Sequence, residues 1–357
     1  SPVLARRTQP ASDLSAMDGY AVRHADLPGP WSIVGESAAG APFSGTVGQG
    51  QAVRISTGAV LPDGADMVVI QENCTRQDNR LTLSAADANL DARHVRKSGR
   101  DFQQGQAVIA PGDAITAARI ALAAMAGHDR VAVHGQPRIA ILNTGDELVP
   151  PGADVPLGKI PASNGVMLEA MLRPLPCSVS SSSIIPDRLD ALCEAIAGFD
   201  NAHVIVTSGG ASVGDHDLIR PALERLGAKP EFWKVAIKPG KPILAAPLGK
   251  AVFLGLPGNP VSAYVTAALF LLPLIRRLAG ARDALPATAS ARAAGPIPAN
   301  GPRAEFLRAC ASDGMINPLD QQGSAAMFAL AAANALLIRP ADAAPVDKGE
   351  IVEYLPI

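Results

Sequence analysis

Cysteine is scarce: the chain has 4 among its 357 residues, Cys74, Cys177, Cys193 and Cys310, and none forms a CxxC pair. That spacing excludes a zinc knuckle or a disulfide framework and fits a reduced, cytoplasmic setting. The 6 histidines show no HxH or HExxH spacing, so the commonest zinc centre is not indicated. Walker A and GxGxxG loops are missing, which leaves ordinary NTPase and NAD-binding readings without support. Neither sign of charge dominates: 31 Lys and Arg against 33 Asp and Glu give a formal net charge of -2. No general affinity for nucleic acid or an anionic membrane follows, and any polyanion site must be local. The first ten residues, SPVLARRTQP, have no apolar core of signal-peptide type. The most apolar stretch, Val261 to Ile275, contains Ser262, Tyr264, Thr266 and Pro273 and is too short to span a bilayer, so it is expected as a buried helix.

What is present is organised around HVIVTSGGASVGDHD, residues 203 to 217. Val204, Ile205, Val206 and Thr207 are all β-branched and form one apolar run, as in a parallel strand covered on both faces. Ser208, Gly209 and Gly210 then remove side-chain bulk, so backbone N–H groups can approach an anion. Asp215 and Asp217 precede an amphipathic segment, Leu218 to Leu226, and can help hold a divalent cation against that anion.

The chain reads as several domains, α/β plus β. SAMDGYAVR forms a short polar turn between apolar pieces. From Trp31 to Pro111, short runs such as Gln51 to Ile55, Met67 to Ile70, Arg80 to Leu83 and Gln106 to Ile109 alternate with turn residues, as in a small barrel or sandwich. Thr116 caps a helix with the body ARIALAAMA, and Gly127 ends it. Strands and helices then alternate over Arg138 to Leu278, which predicts a mostly parallel sheet with helices on both faces. Ligands of such sheets sit beyond the carboxyl ends of the strands, so NTGDE, SGGASVGD, KPGKP and LPGNPVS can face one cleft. Ala281 to Asn300 reads as a linker rich in Ala and Pro. Glu305 to Cys310, Met315 to Pro318, Ala335 to Arg339 and Glu350 to Leu355 are strand candidates of a small C-terminal β module.

Asp146 and Glu147 follow a buried strand beside the twin glycines, an arrangement suited to Mg²⁺ bridging a phosphate, because magnesium takes carboxylate and phosphate oxygens and retains water. The bland reading is that Asp146 caps a turn and Glu147 is solvated. Lys238 and Lys241 sit in a stiff KPGKP turn that can direct both ammonium groups at one oxyanion; two solvated lysines on a surface turn are the alternative. Asn259 and Pro260 suit the start of a long helix whose free N–H groups, with the Ser262 hydroxyl, can receive an oxyanion. A purely structural cap accounts for Asn259 and Pro260 equally well.

These motifs resemble those of the molybdopterin molybdenumtransferases, the MoeA type of bacteria and the E domain of gephyrin and its plant relatives. The resemblance runs through SAMDGYA at 15 to 21, RISTGAVLPDGAD at 54 to 66, VRKSGRDFQQG at 95 to 105, NTGDEL at 143 to 148, TSGGASVGDHD at 207 to 217, KPGKP at 238 to 242, LPGNPVSA at 256 to 263, and EFLR with QQGS near the end. It implies the last step of molybdenum cofactor synthesis: adenylylated molybdopterin and molybdate are converted, with Mg²⁺, into the dithiolene-bound cofactor and AMP.

The resemblance also implies an elongated first domain in two stretches, 1–23 and 105–133, with a β-rich second domain, 24–104, inserted between them. A third domain like the molybdopterin adenylyltransferases would occupy 134–282 and a β-barrel-like fourth 283–357. Relatives carry a further helical stretch ahead of the SAMDGYA motif, which here begins after 14 residues. A homodimer is implied, its cleft lying between the third domain of one subunit and the first two of the other. Molybdopterin adenylyltransferase and molybdoenzyme maturation proteins would be its partners.

By resemblance, Asp18, Thr57 and Asp101 face the cleft from the partner subunit. Glu147 and Asp217 surround Mg²⁺ and the pyrophosphate, and Ser208, Gly209, Gly210 and Asp215 the phosphate or pterin end. Lys238, Lys241, Pro242, Ser262, Arg303 and Ser324 would form the molybdate pocket. The motif departs from commoner relatives at QGSAAMF, where Ala325 follows the serine. Other readings are a molybdopterin adenylyltransferase, a gephyrin-like dimeric scaffold for receptor peptides and, ranked lower, a nucleotide amidase or pyrophosphatase on the same fold.

Overall fold

The computed structural model describes residues 1–84, 93–209, 218–229 and 232–357. The chain divides into two compact units, Ser1–Ala132 and Val133–Ile357.

The first unit is built on a six-stranded sheet in the order Met67–Ile70, Gly19–Val22, Gln51–Ile55, Trp31–Ser37, Arg80–Leu83, Cys74–Gln77. Side chains alternate across it, as the two-residue period of a strand requires. Tyr20, Val22, Trp31, Met67 and Val69 pack on one face, and Ala21, Val53, Ile55 and Val68 on the other. Gly19–Val22 corrects the sequence expectation of a polar turn, since all four of its residues are buried between two neighbouring strands. A side chain at Gly19 would collide with the Val69 carbonyl, its Cβ only 2.1 Å from that oxygen. In a smaller cluster, Ala5, Phe102 and Ala126 bring the chain start against the helix Ala117–Met125. Thr116 caps that helix by accepting from the Arg119 N–H, as its sequence suggested.

The second unit begins with a sheet in the order Ser178–Ile185, Arg138–Thr144, Val204–Ser208, Ala251–Leu256, Pro242–Leu248, Phe232–Lys234. The first four strands are parallel; Pro242–Leu248 runs against them and pairs antiparallel with both its neighbours, so the sheet expected to be mostly parallel is mixed at one edge. All five residues of Val204–Ser208 are buried, in keeping with the β-branched run. Ile139, Ile141, Val204 and Val206 face the helices Ser163–Leu172 and Pro260–Leu278. Ala140, Leu142, Ile205 and Phe253 face Leu189–Ala197 and Ile219–Arg225.

Pro260–Leu278 is the one helix among the described residues long and apolar enough to cross a membrane, and over half of it is buried against the sheet. It contains a π turn at Ala267–Leu271.

The C-terminal strands form a closed ring. Ala304–Ser312, Met315–Pro318, Ala289–Ala293, Ile351–Pro356 and Ala335–Arg339 follow in order, and the last pairs back onto the first. Alanines at 291, 293, 309 and 335 fill much of its interior. Ala289–Ala293 lies inside the stretch expected to be a linker, and pairing with Ile351–Pro356 on one side and Met315–Pro318 on the other recruits it. Phe306, Leu336 and Leu355 of the ring belong to the same core as Ile237, Val265 and Leu271, so sheet domain and ring share apolar packing.

Candidate functional site

Beyond the carboxyl ends of three parallel strands lies a small open cleft. Asn143 and Glu147 line it from the first strand and its loop, Ser208 and Gly209 from the second, Gly258 and Pro260 from the third; residues 160–165 complete the wall. Three of the four loops expected at one cleft therefore meet there.

Backbone proximity shapes this cleft. The register of Arg138–Thr144 against its neighbour shifts between Ile141 and Asn143. At the shift, the Asn143 N–H donates to Ser182 Oγ (3.1 Å) and its Nδ2 to the Ser182 carbonyl (3.0 Å). Helix Ser163–Leu172 starts directly against Asn143: a Cβ on Gly165 would come 2.2 Å from Asn143 Oδ1. Asn164 Nδ2 donates to the Gly258 carbonyl at 2.7 Å and ties that helix start to the third loop. Gly209 has φ +117°, where a side chain is strained, and its N–H donates to the Leu256 carbonyl at 3.1 Å. Beneath it the Thr144 and Thr207 hydroxyls lie 3.4 Å apart and buried.

Two helices begin at this wall, Ser163–Leu172 and Pro260–Leu278, so their unpaired N–H groups give it positive potential. Asn259 accepts from the Ser262 N–H at 3.4 Å and caps the second helix. Glu147 adds one exposed carboxylate. Helix starts, a glycine turn and a carboxylate together suit a phosphorylated ligand with a divalent cation. Asp146 does not join them: its Oδ1 accepts from the Asp187 N–H (3.2 Å) while its own N–H donates to Asp187 Oδ2 (3.3 Å), the turn-capping role that was the bland reading. Gly210, Asp215 and Asp217 lie outside the described residues.

A second group of site candidates gathers about the first two turns of Pro260–Leu278. Gly240 has φ +112°, and a Cβ there would come 2.4 Å from Thr266 Cγ2 and 3.7 Å from the Ser262 carbonyl. The KPGKP turn thus presses on the helix at the buried Thr266, one turn beyond the buried Ser262. Ile237–Lys238 pairs in parallel with Ala304 and Glu305, which brings Arg303 alongside. Lys238 Nζ donates to Glu305 Oε1 at 2.9 Å; Lys241 is exposed and Pro242 begins the next strand. Ser324 is exposed on the loop after the second strand of the ring, and that loop hangs from Arg308. Only 1% exposed, Arg308 donates through Nη2 to the Gln321 and Gly323 carbonyls, both at 2.9 Å. Burial lowers its pKa, yet the guanidinium remains a cation.

In the first unit Asp18 and Thr57 are joined, the Thr57 N–H donating to Asp18 Oδ1 at 2.6 Å. The Thr57 backbone and hydroxyl hold the Asp18 carboxyl below the usual carboxylate range. Arg54 braces the same corner, donating to the Gly19 carbonyl at 2.9 Å and lying 5.3 Å from the Tyr20 ring centroid. Asp101 stands exposed on a different turn, its N–H bonded to the Gln9 carbonyl at 3.1 Å.

Sequence reasoning missed Asn164 and Arg308 as organisers of these loops. Ser163 and Asn164 just after a proline and just before an apolar helix gave a readable start signal. Arg308 closes the EFLR motif, but its bracing role gave no local signal, because it depends on a loop thirteen to fifteen residues further on. Cysteine chemistry finds no support at either cluster. All four cysteines are free, and burial pushes the Cys74 thiol up to about 11 and raises that of Cys177.

Three family models match in succession: the MoeA N-terminal region (domain I and II) over residues 1–127, a probable molybdopterin binding domain over 140–277, and the MoeA C-terminal region (domain IV) over 290–357. A molybdopterin molybdenumtransferase of Haemophilus influenzae is 40% identical over 278 residues, covering 77% of this chain and 68% of its own. One from Nostoc is 38% identical over 291 residues, covering 78% and 66%. A solved molybdopterin biosynthesis MoeA protein from Pyrococcus horikoshii superposes with a TM-score of 0.78 at 27% identity, over 99% of this chain and 91% of that one.

Proposed function

The chain belongs to the MoeA family of molybdopterin molybdenumtransferases, and we propose that its cleft and its KPGKP turn are the two halves of one reaction site. The enzyme inserts molybdate into adenylylated molybdopterin, the final step of molybdenum cofactor biosynthesis, and AMP is released. The observation that carries the division of labour is the meeting of the NTGDE, SGG and LPGNP loops at one cleft, with the KPGKP turn packed against the same helix at Thr266, one turn beyond Ser262.

The chemistry brings together a molybdate dianion, a dithiolene pair and a pyrophosphate bridge, which repel one another unless their charge is offset. Backbone N–H groups around Ser208 and Gly209, and the two helix starts, receive the phosphate end. Lys238, Lys241, Ser262, Arg303 and Ser324, with Pro242 stiffening the turn, hold molybdate oxygens. Dithiolene sulfurs replace two of those oxygens, and a displaced water or oxo group takes part in the release of AMP. No nucleophilic side chain is needed.

Magnesium fits the donor set at the cleft. Among the described residues no three His, Cys, Asp or Glu side chains cluster as a closed metal cage. One exposed carboxylate, Glu147, suits a cation that takes one or two carboxylates and completes its shell with phosphate and water. Glu147 with Asp217 would hold it, and when bound it would draw charge from the anhydride.

The same proposal divides the chain into domain I at 1–23 and 105–133, domain II at 24–104, an adenylyltransferase-like domain III at 134–282 and domain IV at 283–357. It makes the protein a homodimer in which Asp18, Thr57 and Asp101 of one subunit complete the cleft of the other. Support comes from the family motifs, which place those three residues in the first unit and the cleft in the second. A cytoplasmic location and hand-over from a molybdopterin adenylyltransferase to molybdoenzyme maturation proteins belong to this proposal. Incubation with adenylylated molybdopterin, Mg²⁺ and molybdate tests it: molybdenum-loaded pterin and AMP should appear together. Consumption of ATP with no molybdenum-loaded product would point instead to an adenylyltransferase.

A further inference from the structure

Lys238 already has an anion beside it. The parallel pairing of Ile237–Lys238 with Ala304–Glu305 sets Lys238 directly across from Glu305, and the Ala304 N–H bond to the Ala236 carbonyl (3.0 Å) fixes that register. The Glu305 side chain is only 16% exposed, whereas that of Lys238 is 53% exposed. The carboxylate is therefore the anchored member, and the ammonium is the member that meets solvent. A lysine ammonium has three N–H donors and Glu305 Oε1 takes one, leaving Lys238 able to turn to an incoming anion.

We propose that Glu305 is the resident counter-anion of the oxometalate pocket: it engages Lys238 until molybdate takes its place, and re-engages Lys238 as molybdenum leaves for the dithiolene. This rests on the assignment of Lys238 to molybdate in the preceding section. Two effects of Glu305 on molybdate oppose each other. Holding Lys238 in place favours binding by saving the ordering of one flexible side chain. The carboxylate charge disfavours binding, and acts on a dianion with twice the force it exerts on a monoanion at the same distance. A half-exposed lysine in an ion pair loses little by being freed, so charge decides the sign and Glu305 weakens binding. The pocket can then let the metal go after holding it.

The test is calorimetric titration of the full-length protein with molybdate and with perrhenate, a tetrahedral oxoanion that carries one charge instead of two. Glu305→Gln keeps the shape and removes the charge. It should tighten molybdate about tenfold and perrhenate only about threefold, the square root, because the affinity change scales with ligand charge. Equal changes for both anions, or weaker molybdate binding, would mean that Glu305 acts by geometry alone and overturn the proposal. Glu305→Ala, which should show the same two-to-one ratio in logarithmic terms, serves if the glutamine variant fails to fold. Lys238→Met separates the two layers of argument. If it leaves molybdate binding unchanged, the pocket assignment itself falls; if it weakens binding while neither Glu305 variant shows the charge-scaled gain, only the counter-anion role is lost.

Discussion

Gly209 and Gly258 face one another across the cleft floor, and a Cβ built on Gly258 would stand 3.4 Å from the Gly209 Cα. That is ordinary van der Waals contact, so the two positions differ in what they forbid. Gly258→Ala should be tolerated, with melting temperature and AMP release near those of the parent. Gly209→Ala forces a side chain into φ +117° and should cost on the order of 1–3 kcal/mol. Paired thermal melts decide between them; equal melting temperatures would show that the turn relaxes.

Glu147→Ala should abolish Mg²⁺-dependent AMP release and leave stability within about 0.5 kcal/mol, because the residue is exposed. Release at ordinary Mg²⁺ concentrations by this variant would remove Glu147 from the site.

Lys241→Ala should raise the molybdate requirement roughly 10-fold or more, the scale of a lost hydrogen bond to a charged group. Binding of adenylylated molybdopterin should change much less. Equal losses for both would contradict two adjoining subsites.

Arg308→Ala strips two carbonyl partners from the Gln321–Gly323 loop and leaves a cavity in the ring. A loss of about 3 kcal/mol is expected, read as an earlier thermal transition, together with weaker molybdate binding through Ser324. A melt identical to the parent would show that the loop does not depend on this guanidinium.

Acid should loosen the first unit. Asp13 is held low by hydrogen bonding from Lys97, partly offset by burial; Asp18 is held low by the Thr57 backbone N–H and hydroxyl. For Asp66, burial raises the pKa, but the His24 N–H and Arg93 outweigh it. Each folded pKa lies below the unfolded value, so these contacts stabilise fully above the ordinary aspartate pKa and are lost as pH falls through the lowered folded values. Asp18→Asn should flatten the loss of melting temperature between pH 5 and about 3. An unchanged slope would assign the acid sensitivity elsewhere.

Where local chemistry and tertiary placement agreed, the chain was legible. Val204 to Thr207 announced a buried strand because β-branched residues favour that surroundings whatever the neighbours do. Ala289–Ala293, with the sequence ASARA, has little strand preference of its own and is held by partners on both sides. Gly19–Val22 was masked by its glycine, which is there because the Val69 carbonyl approaches so closely. Chemistry followed the same rule: loops at strand ends could be placed from pattern, whereas the Lys238–Glu305 pair joins residues 67 apart through a strand register that no local motif encodes.

The π turn at Ala267–Leu271 also sets how this enzyme can be altered. Such a turn holds one residue more than an α-helix would over the same rise, so it offsets the angular phase of everything after it from everything before. The Asn259–Thr266 end can stay placed at the cleft while Leu272–Leu278 answers to the core beneath. Removing a single residue from the turn would leave a regular α-helix over the same rise with both ends in place, whereas a deletion well outside the turn would swing one end by about 100° relative to the other. In that second case either the Asn259 cap at the cleft or the buried Ile275 would be misplaced, so the π turn is where this helix best tolerates the loss of one residue.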